Sequence, residues 1–317
     1  MTKPIFFNAV LQEKIWGGTK LNSLFNFTLP SEKTGEAWII SAHPNGISTI
    51  KSPAEYAGLG LDELYKTHPE LFNGQQLASF PLLIKLLDAS DDLSIQVHPD
   101  DEYALEHEGE YGKNECWYVV QAEPGAKIVY GHTAMTPEEF AEKIDNEAWN
   151  DLFTEVPVKA GDFFDVPSGT IHAIGGGIVI LETQQNSDTT YRVYDYNRTD
   201  DAGNPRPLHI QQTKDVTTIP HSVPTTNQQV VTTDTGTRTT FVENKFFTVW
   251  KYDINGDYSD ALSSTYHLMT VLDGKGRLTV DGTQYPIQKA DSFILPSGTP
   301  TLQINGSVQL IVSQSNQ

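Results

Sequence analysis

Apolar and polar residues alternate in short runs along most of this chain, and only two stretches fall into the three- and four-residue spacing of an amphipathic helix. Between Pro53 and Phe72 the residues Leu59, Leu61, Leu64, Tyr65 and Leu71 recur at that spacing, which predicts a small helical insertion near 53–75. The second helix is expected over 136–153, with Thr136 as N-cap, Pro137 at its first position and Glu139 completing a capping box. Its apolar stripe is Phe140, Ile144, Ala148 and Leu152. Elsewhere the pattern predicts strands. Phe6 to Leu29 reads as opening strands, Glu36 to Ile40 as a strand closed by the turn residues His43-Pro44-Asn45-Gly46, and Pro81 to Leu87 as a strand buried on both faces. Lys85 is the odd member of that last run, either snorkelling or paired, or set in a polar cavity. Residues 221–240, rich in Thr, Gln and Val, read as a linker or crossing segment. Phe241 to Gln317 shows six or so short alternating strands, with turns expected at Asn255-Gly256, Asp273-Gly274, Asp281-Gly282 and Asn305-Gly306.

An internal repeat relates two parts of the chain. Ala160 to Thr170 (AGDFFDVPSGT) aligns with Lys289 to Thr299 (KADSFILPSGT), and Pro-Ser-Gly-Thr is identical in both. Two residues beyond the first copy stands His172; two beyond the second stands Thr301. Gly161, Pro167, Gly169 and His172 resemble the second sequence signature of the cupin barrels. That resemblance implies a mainly β protein of two cupin-like jelly-roll barrels, with small helical insertions in the first. The expected division is a catalytic barrel over 1–220, the connecting segment 221–240 and a second, metal-free barrel over 241–317.

Composition narrows the partners. With 41 Asp and Glu against 21 Lys and Arg the net charge is −20, which repels nucleic acid and anionic membranes and leaves a small anion acceptable only where a few cations gather. A single cysteine, Cys116, excludes internal disulfides and Cys-rich metal sites. Cys116 itself reads as core. The N-terminal residues carry no charged stretch followed by an apolar one and no apolar run is long enough to span a bilayer, so a cytoplasmic protein is expected.

The candidate chemistry centres on Ser94 to Tyr118. Gln96 and His98 lie two apart, so on an extended strand they share a face. Glu115 opens the next apolar run and His172 comes from a third place. Singly, such residues are usually polar positions facing solvent; together they form a mixed nitrogen and oxygen donor set without thiolate. Such a set suits Zn²⁺, and other divalent ions also fit it. The acidic residues from Asp100 to Glu110 lack the glycine and spacing of a calcium loop and read as a solvated, charged loop.

Five strings carry a narrower resemblance: GEAWIISAHPNG, PLLIKLLDA, LSIQVHPDD, GKNECWYVV and ETQQNSDTTYRVYDYNR. Together they resemble the type I mannose-6-phosphate isomerases in their short bacterial form. The resemblance implies one zinc held by Gln96, His98, Glu115 and His172, an active-site Arg192, a Lys113 near the metal and a Ser94 in the substrate pocket. It implies a zinc-dependent aldose–ketose isomerase acting on a sugar phosphate, by proton transfer through a cis-enediol. Arg192 stays protonated and suits charge stabilisation or phosphate binding. Lys113 suits either proton transfer or phosphate binding, and Asp195, Glu182 and zinc-bound hydroxide are further bases. The rival readings are a non-catalytic sugar-phosphate sensor and a metal-dependent cupin oxygenase.

Overall fold

Strands are the main regular element of the molecule, and Thr34–Ile40, Leu82–Ala89 and Ile178–Gln185 are buried along their whole length rather than alternating. The computed structural model describes residues 2–74, 77–199, 202–226 and 228–317. The fold is mainly β, and the chain separates into two compact units, one formed by 11–37 and 86–225, the other by 1–10, 38–85 and 226–317. The division therefore does not follow chain order. The strand Ile5–Asn8, expected with the first barrel, pairs with Ser292–Leu295, so the opening residues belong with the C-terminal strands.

In the first unit a five-stranded sheet runs in the order Tyr191–Tyr194, Ile95–Val97, His172–Ile174, Lys127–His132, Phe153–Pro157. A second sheet places Glu115–Ala122 between Phe163–Val166 and Ile178–Gln185, antiparallel to both. Inward-facing Trp117, Val119, Val166 and Ile180 from one sheet meet Ile128, Tyr130 and Ile174 from the other in a single core.

In the second unit a nine-stranded sheet contains three long strands, Phe247–Ala261, His267–Val280 and Thr301–Ser315. Of the four turns expected there, only Asp281-Gly282 is a hairpin, joining Val280 to Thr283. Asn255-Gly256, Asp273-Gly274 and Asn305-Gly306 lie inside the long strands. Gly256 pairs with Gly306 and Gly306 with Gly276, a glycine row across three neighbouring strands. A Cβ on Gly306, at φ +148°, would come within 2.6 Å of Gly276 Cα and Lys275 O. Glycine in that row permits the close backbone approach that bent strands need. The segment 221–240 is also more regular than expected: Gln229–Thr233 and the start of Gly236–Glu243 form an antiparallel pair within it.

The repeat is structural. Asp162 Oδ2 accepts the N–H of Lys159, and at the matching place Asp291 Oδ2 accepts the N–H of Gln288, both at 2.9 Å. Gly161 and Ala290 occupy the same left-handed conformation, φ 92° and 77°.

The helices are shorter and more numerous than expected. The 53–75 insertion contains Leu61–Thr67 and a 3₁₀ turn, Pro69–Phe72. The helix over 136–153 is two, Pro137–Asp145 and Trp149–Leu152, separated where Glu147 takes φ 51°. Thr136 caps the first by accepting the Glu139 N–H, whereas the Glu139 carboxylate accepts from Met135 N–H rather than closing a box. Three further helices appear where none was expected: Lys20–Phe25, Asp101–His107 and Ile210–Val216. Asp101–His107 falls in the presumed charged loop and is capped by Asp100, whose Oδ1 accepts the Tyr103 N–H at 3.0 Å. No helix of the described residues is long and apolar enough to cross a membrane.

Candidate metal centre

Strand register gathers the site. Gln96 is paired with His172 on one neighbouring strand and with Arg192 on the other. Paired residues project to the same face, so three strands place three polar side chains side by side. His98 follows one pleat further on, and its carbonyl accepts the Gly169 N–H at 2.8 Å, which ties the strand end to the Pro-Ser-Gly-Thr turn. Glu115 enters from the other sheet as the first residue of Glu115–Ala122.

Both histidines aim Nε2 at the centre. His98 Nδ1 lies 2.8 Å from the Thr189 carbonyl and His172 Nδ1 lies 2.9 Å from the Thr170 carbonyl. A carbonyl only accepts, so each Nδ1 holds a proton, and in the neutral ring Nε2 carries the lone pair. His98 Nε2 is 3.5 Å from Glu115 Oε2, and His172 Nε2 is 3.4 Å from Glu115 Oε1. The donor atoms of these three residues all lie within 4.8 Å of one another, and each residue is only 1% exposed. Burial pushes the His172 imidazole down to about 4, so it is neutral at physiological pH.

Lys113 adjoins the set. Its Nζ is 3.1 Å from His98 Nε2 and 3.0 Å from Glu115 Oε2. Burial opposes its charge, but Glu115 and Glu182 outweigh that and hold the amine above its ordinary value, as an ammonium. The contact with Glu115 is a buried ion pair. A buried carboxylate whose two oxygens each face the Nε2 of one imidazole is a donor set that fits a divalent cation.

Gln96 stands beside this trio with its amide Nε2 3.3 Å from His172 Nε2 and its Oε1 3.4 Å from Ser94 Oγ. Ligation through the amide requires its oxygen to face the centre, a half-turn about the terminal bond. Ser94 in turn accepts from Arg192 Nε at 3.2 Å, so Ser94 connects Arg192 to Gln96. Arg192 is half-buried and donates through Nη1 to the Pro207 carbonyl. All seven residues singled out in the sequence thus lie in one unit and in one continuous polar cluster.

The two carboxylates considered as bases each have hydrogen-bond partners of their own. Asp195 accepts from Arg198 Nη2 at 2.7 Å and from Arg206 Nε and Nη2 at 2.8 and 2.6 Å. Burial works against its charge, but these arginines hold its carboxyl below the usual range. Glu182 is buried and accepts the Trp117 indole N–H at 3.1 Å, while the Trp117 ring meets His172 edge to face at 5.3 Å. Arg206 was not visible in the sequence as a site residue, since nothing in Asn204-Pro205-Arg206-Pro207 carries a periodic signal. Cys116, one residue from Glu115, is buried in the core, and burial pushes its thiol up.

Known proteins share this architecture and sequence. Residues 5–121 match the family model for the catalytic domain of type I phosphomannose isomerase, and residues 237–315 match that for the mannose-6-phosphate isomerase cupin domain. A mannose-6-phosphate isomerase from Streptococcus mutans is 51% identical over 317 residues, covering all of both chains. One from Bacillus subtilis is 45% identical over 316 residues, covering 98% of this chain and 99% of that one. A crystal structure of the mannose 6-phosphate isomerase from Bacillus subtilis superposes with a TM-score of 0.95 at 45% identity, covering 99% of this chain and all of that one. A putative mannosephosphate isomerase from Archaeoglobus fulgidus, 20% identical with a TM-score of 0.78, shares the fold over all of this chain and 99% of its own. The chain belongs to the type I phosphomannose isomerase family.

Proposed function

We propose that this chain interconverts mannose 6-phosphate and fructose 6-phosphate, with one Zn²⁺ held by Gln96, His98, Glu115 and His172. One observation supports the reading: two imidazoles and the Glu115 carboxylate converge in a buried centre beside Lys113, with Arg192 joined to it through Ser94.

Isomerisation moves a proton between C1 and C2 of the open-chain sugar through a cis-enediol, and the barrier lies in negative charge growing on the two adjoining oxygens. Bound in the centre, Zn²⁺ supplies Lewis acidity toward those oxygens. Arg192 stabilises the same charge or the phosphate, and its orientation is set by Ser94 and the Pro207 carbonyl. A single preorganised donor of this kind is worth about 3 to 4 kcal/mol. Lys113 adds a second fixed positive charge on the opposite side of His98 from Thr189, with a proton to give. Asp195 holds Arg198 and Arg206 in place rather than moving the proton.

In this reading catalysis belongs to the barrel within 1–220, and the barrel within 241–317 takes no metal because Thr301 stands where the repeat has His172. Charged sugar phosphates do not cross membranes unaided, which supports the reading of a cytoplasmic protein. The test is formation of fructose 6-phosphate from mannose 6-phosphate by the zinc-loaded chain, with oxygen uptake followed in parallel. Turnover without oxygen uptake supports the isomerase. Binding without turnover would make the chain a sensor, and oxygen uptake would make it an oxygenase.

A further inference from the structure

The glycine row of the C-terminal barrel borders a second site. Around Gly276 and Gly306 opens a cavity of about 760 Å³, within the size of small-molecule sites. Phe6, Tyr285 and Ile287 give it an apolar wall, and Lys51, Lys275 and Arg277 give it three cations.

These cations are conspicuous for what they do not bind. In a chain of net charge −20, the other basic residues of the same unit are mostly paired: Lys3 with Glu55, Lys66 with Asp62, Arg238 with Asp260, Lys251 with Asp253 and Lys289 with Asp273. Lys51, Lys275 and Arg277 make no ion pair among the described residues. Arg277 has only a long contact, 3.4 Å, to Gln284 Oε1. Among the lining residues the one carboxylate is Asp291, whose Oδ2 accepts the Gln288 N–H in the turn repeated from the first barrel and whose charge is felt by Lys51 without a direct ion pair.

Register concentrates the charge. Lys275 and Arg277 are two apart on one strand and so share a face, with Gln288 opposite the first and Asn305 opposite the second. Unpaired like charges on one face repel and raise the energy of the fold, and a bound anion removes that cost. Gln288, opposite Lys275, brings an amide side chain to the cavity for a hydroxyl or carbonyl of the same ligand.

We infer that this cavity binds an organic phosphate, with the phosphate at Lys51, Lys275 and Arg277 and the sugar or base against Phe6 and Tyr285. An inorganic phosphate would leave the apolar wall uncovered, so the body of the ligand contributes part of the affinity. A phosphorylated hexose and a nucleotide share this chemistry.

Calorimetric titration of the full, zinc-loaded chain with inorganic phosphate, glucose 6-phosphate and ATP tests the site and tells the two sources apart. The expected result is that glucose 6-phosphate or ATP binds more tightly than inorganic phosphate, and that the affinity falls roughly tenfold or more in K51A/K275A/R277A. The charge-preserving K51R/K275R/R277K retains the binding, and isomerase turnover is unchanged in both variants. All three residues are exposed, so neither variant disturbs the core. Absence of binding by both organic phosphates at millimolar concentration, or equal affinity in the triple alanine variant, overturns the assignment.

Discussion

The ammonium of Lys113 lies 3.0 Å from Glu115 Oε2 in a site from which solvent is excluded. Without a metal, that lysine is the countercharge of the carboxylate. Lys113→Met should therefore cost the metal-free protein about 3 to 5 kcal/mol, the usual consequence of leaving one charge of a buried pair alone. Zinc should recover most of the loss by supplying the missing charge. Urea unfolding of the variant with chelator and with zinc measures both quantities; equal stability in the two conditions would contradict the arrangement.

Ser94 couples Arg192 to Gln96 through one hydroxyl. Ser94→Ala leaves every metal donor in place but frees Arg192 on that side. Turnover should fall about tenfold to a hundredfold, with bound zinc per chain unchanged. Steady-state kinetics alongside metal analysis separates this outcome from simple loss of the metal.

Asp165, on the strand paired with the start of Glu115–Ala122, gives a pH signature from outside the proposed donor set. Burial pushes its carboxyl up to about 6 from an ordinary 3.8, so between those values the folded state holds the proton more tightly than the unfolded one. Stability contributed by that proton is complete below pH 3.8 and is lost as pH rises through 6. Asp165→Asn should gain about 3 kcal/mol at pH 8 relative to the parent and almost nothing at pH 3.5. Paired denaturation curves at those two pH values read the difference.

Gly306 combines φ +148° with backbone 2.6 Å from where a Cβ would lie. Gly306→Ala should destabilise the protein by about 2 to 4 kcal/mol, because both the conformation and the space are wrong for a side chain. Ser307→Ala, its neighbour on the exposed side of the strand, should change stability little. Chemical denaturation of the two variants distinguishes a bend that demands glycine from general intolerance of the strand.

Much of the centre was legible because strand periodicity is simple. Gln96 and His98 fall on one face by alternation alone, and the Gly-Pro-Gly-His spacing ending at His172 sets the third donor on the strand that pairs with Gln96. The part that was not legible depends on contacts distant in sequence. Asp195 looked like an available base until Arg206, eleven residues on, was seen to clamp it. Asp101–His107 looked like loop because Ala104 is the only residue it buries, so it has no apolar stripe to announce it. Asn255-Gly256 and Asn305-Gly306 have the composition of hairpin turns, yet they face each other across neighbouring strands as a bend. A dipeptide specifies a permitted backbone conformation, and the pairing partner decides which structure uses it.

The most direct measurement is the rate of fructose 6-phosphate formation from mannose 6-phosphate by the full chain, taken as isolated, after exhaustive chelation, and after zinc is restored. The account predicts turnover that disappears with the metal and returns at one zinc per chain. Turnover that survives complete removal of metal, or a chain that holds one zinc and does not convert the sugar, would contradict it.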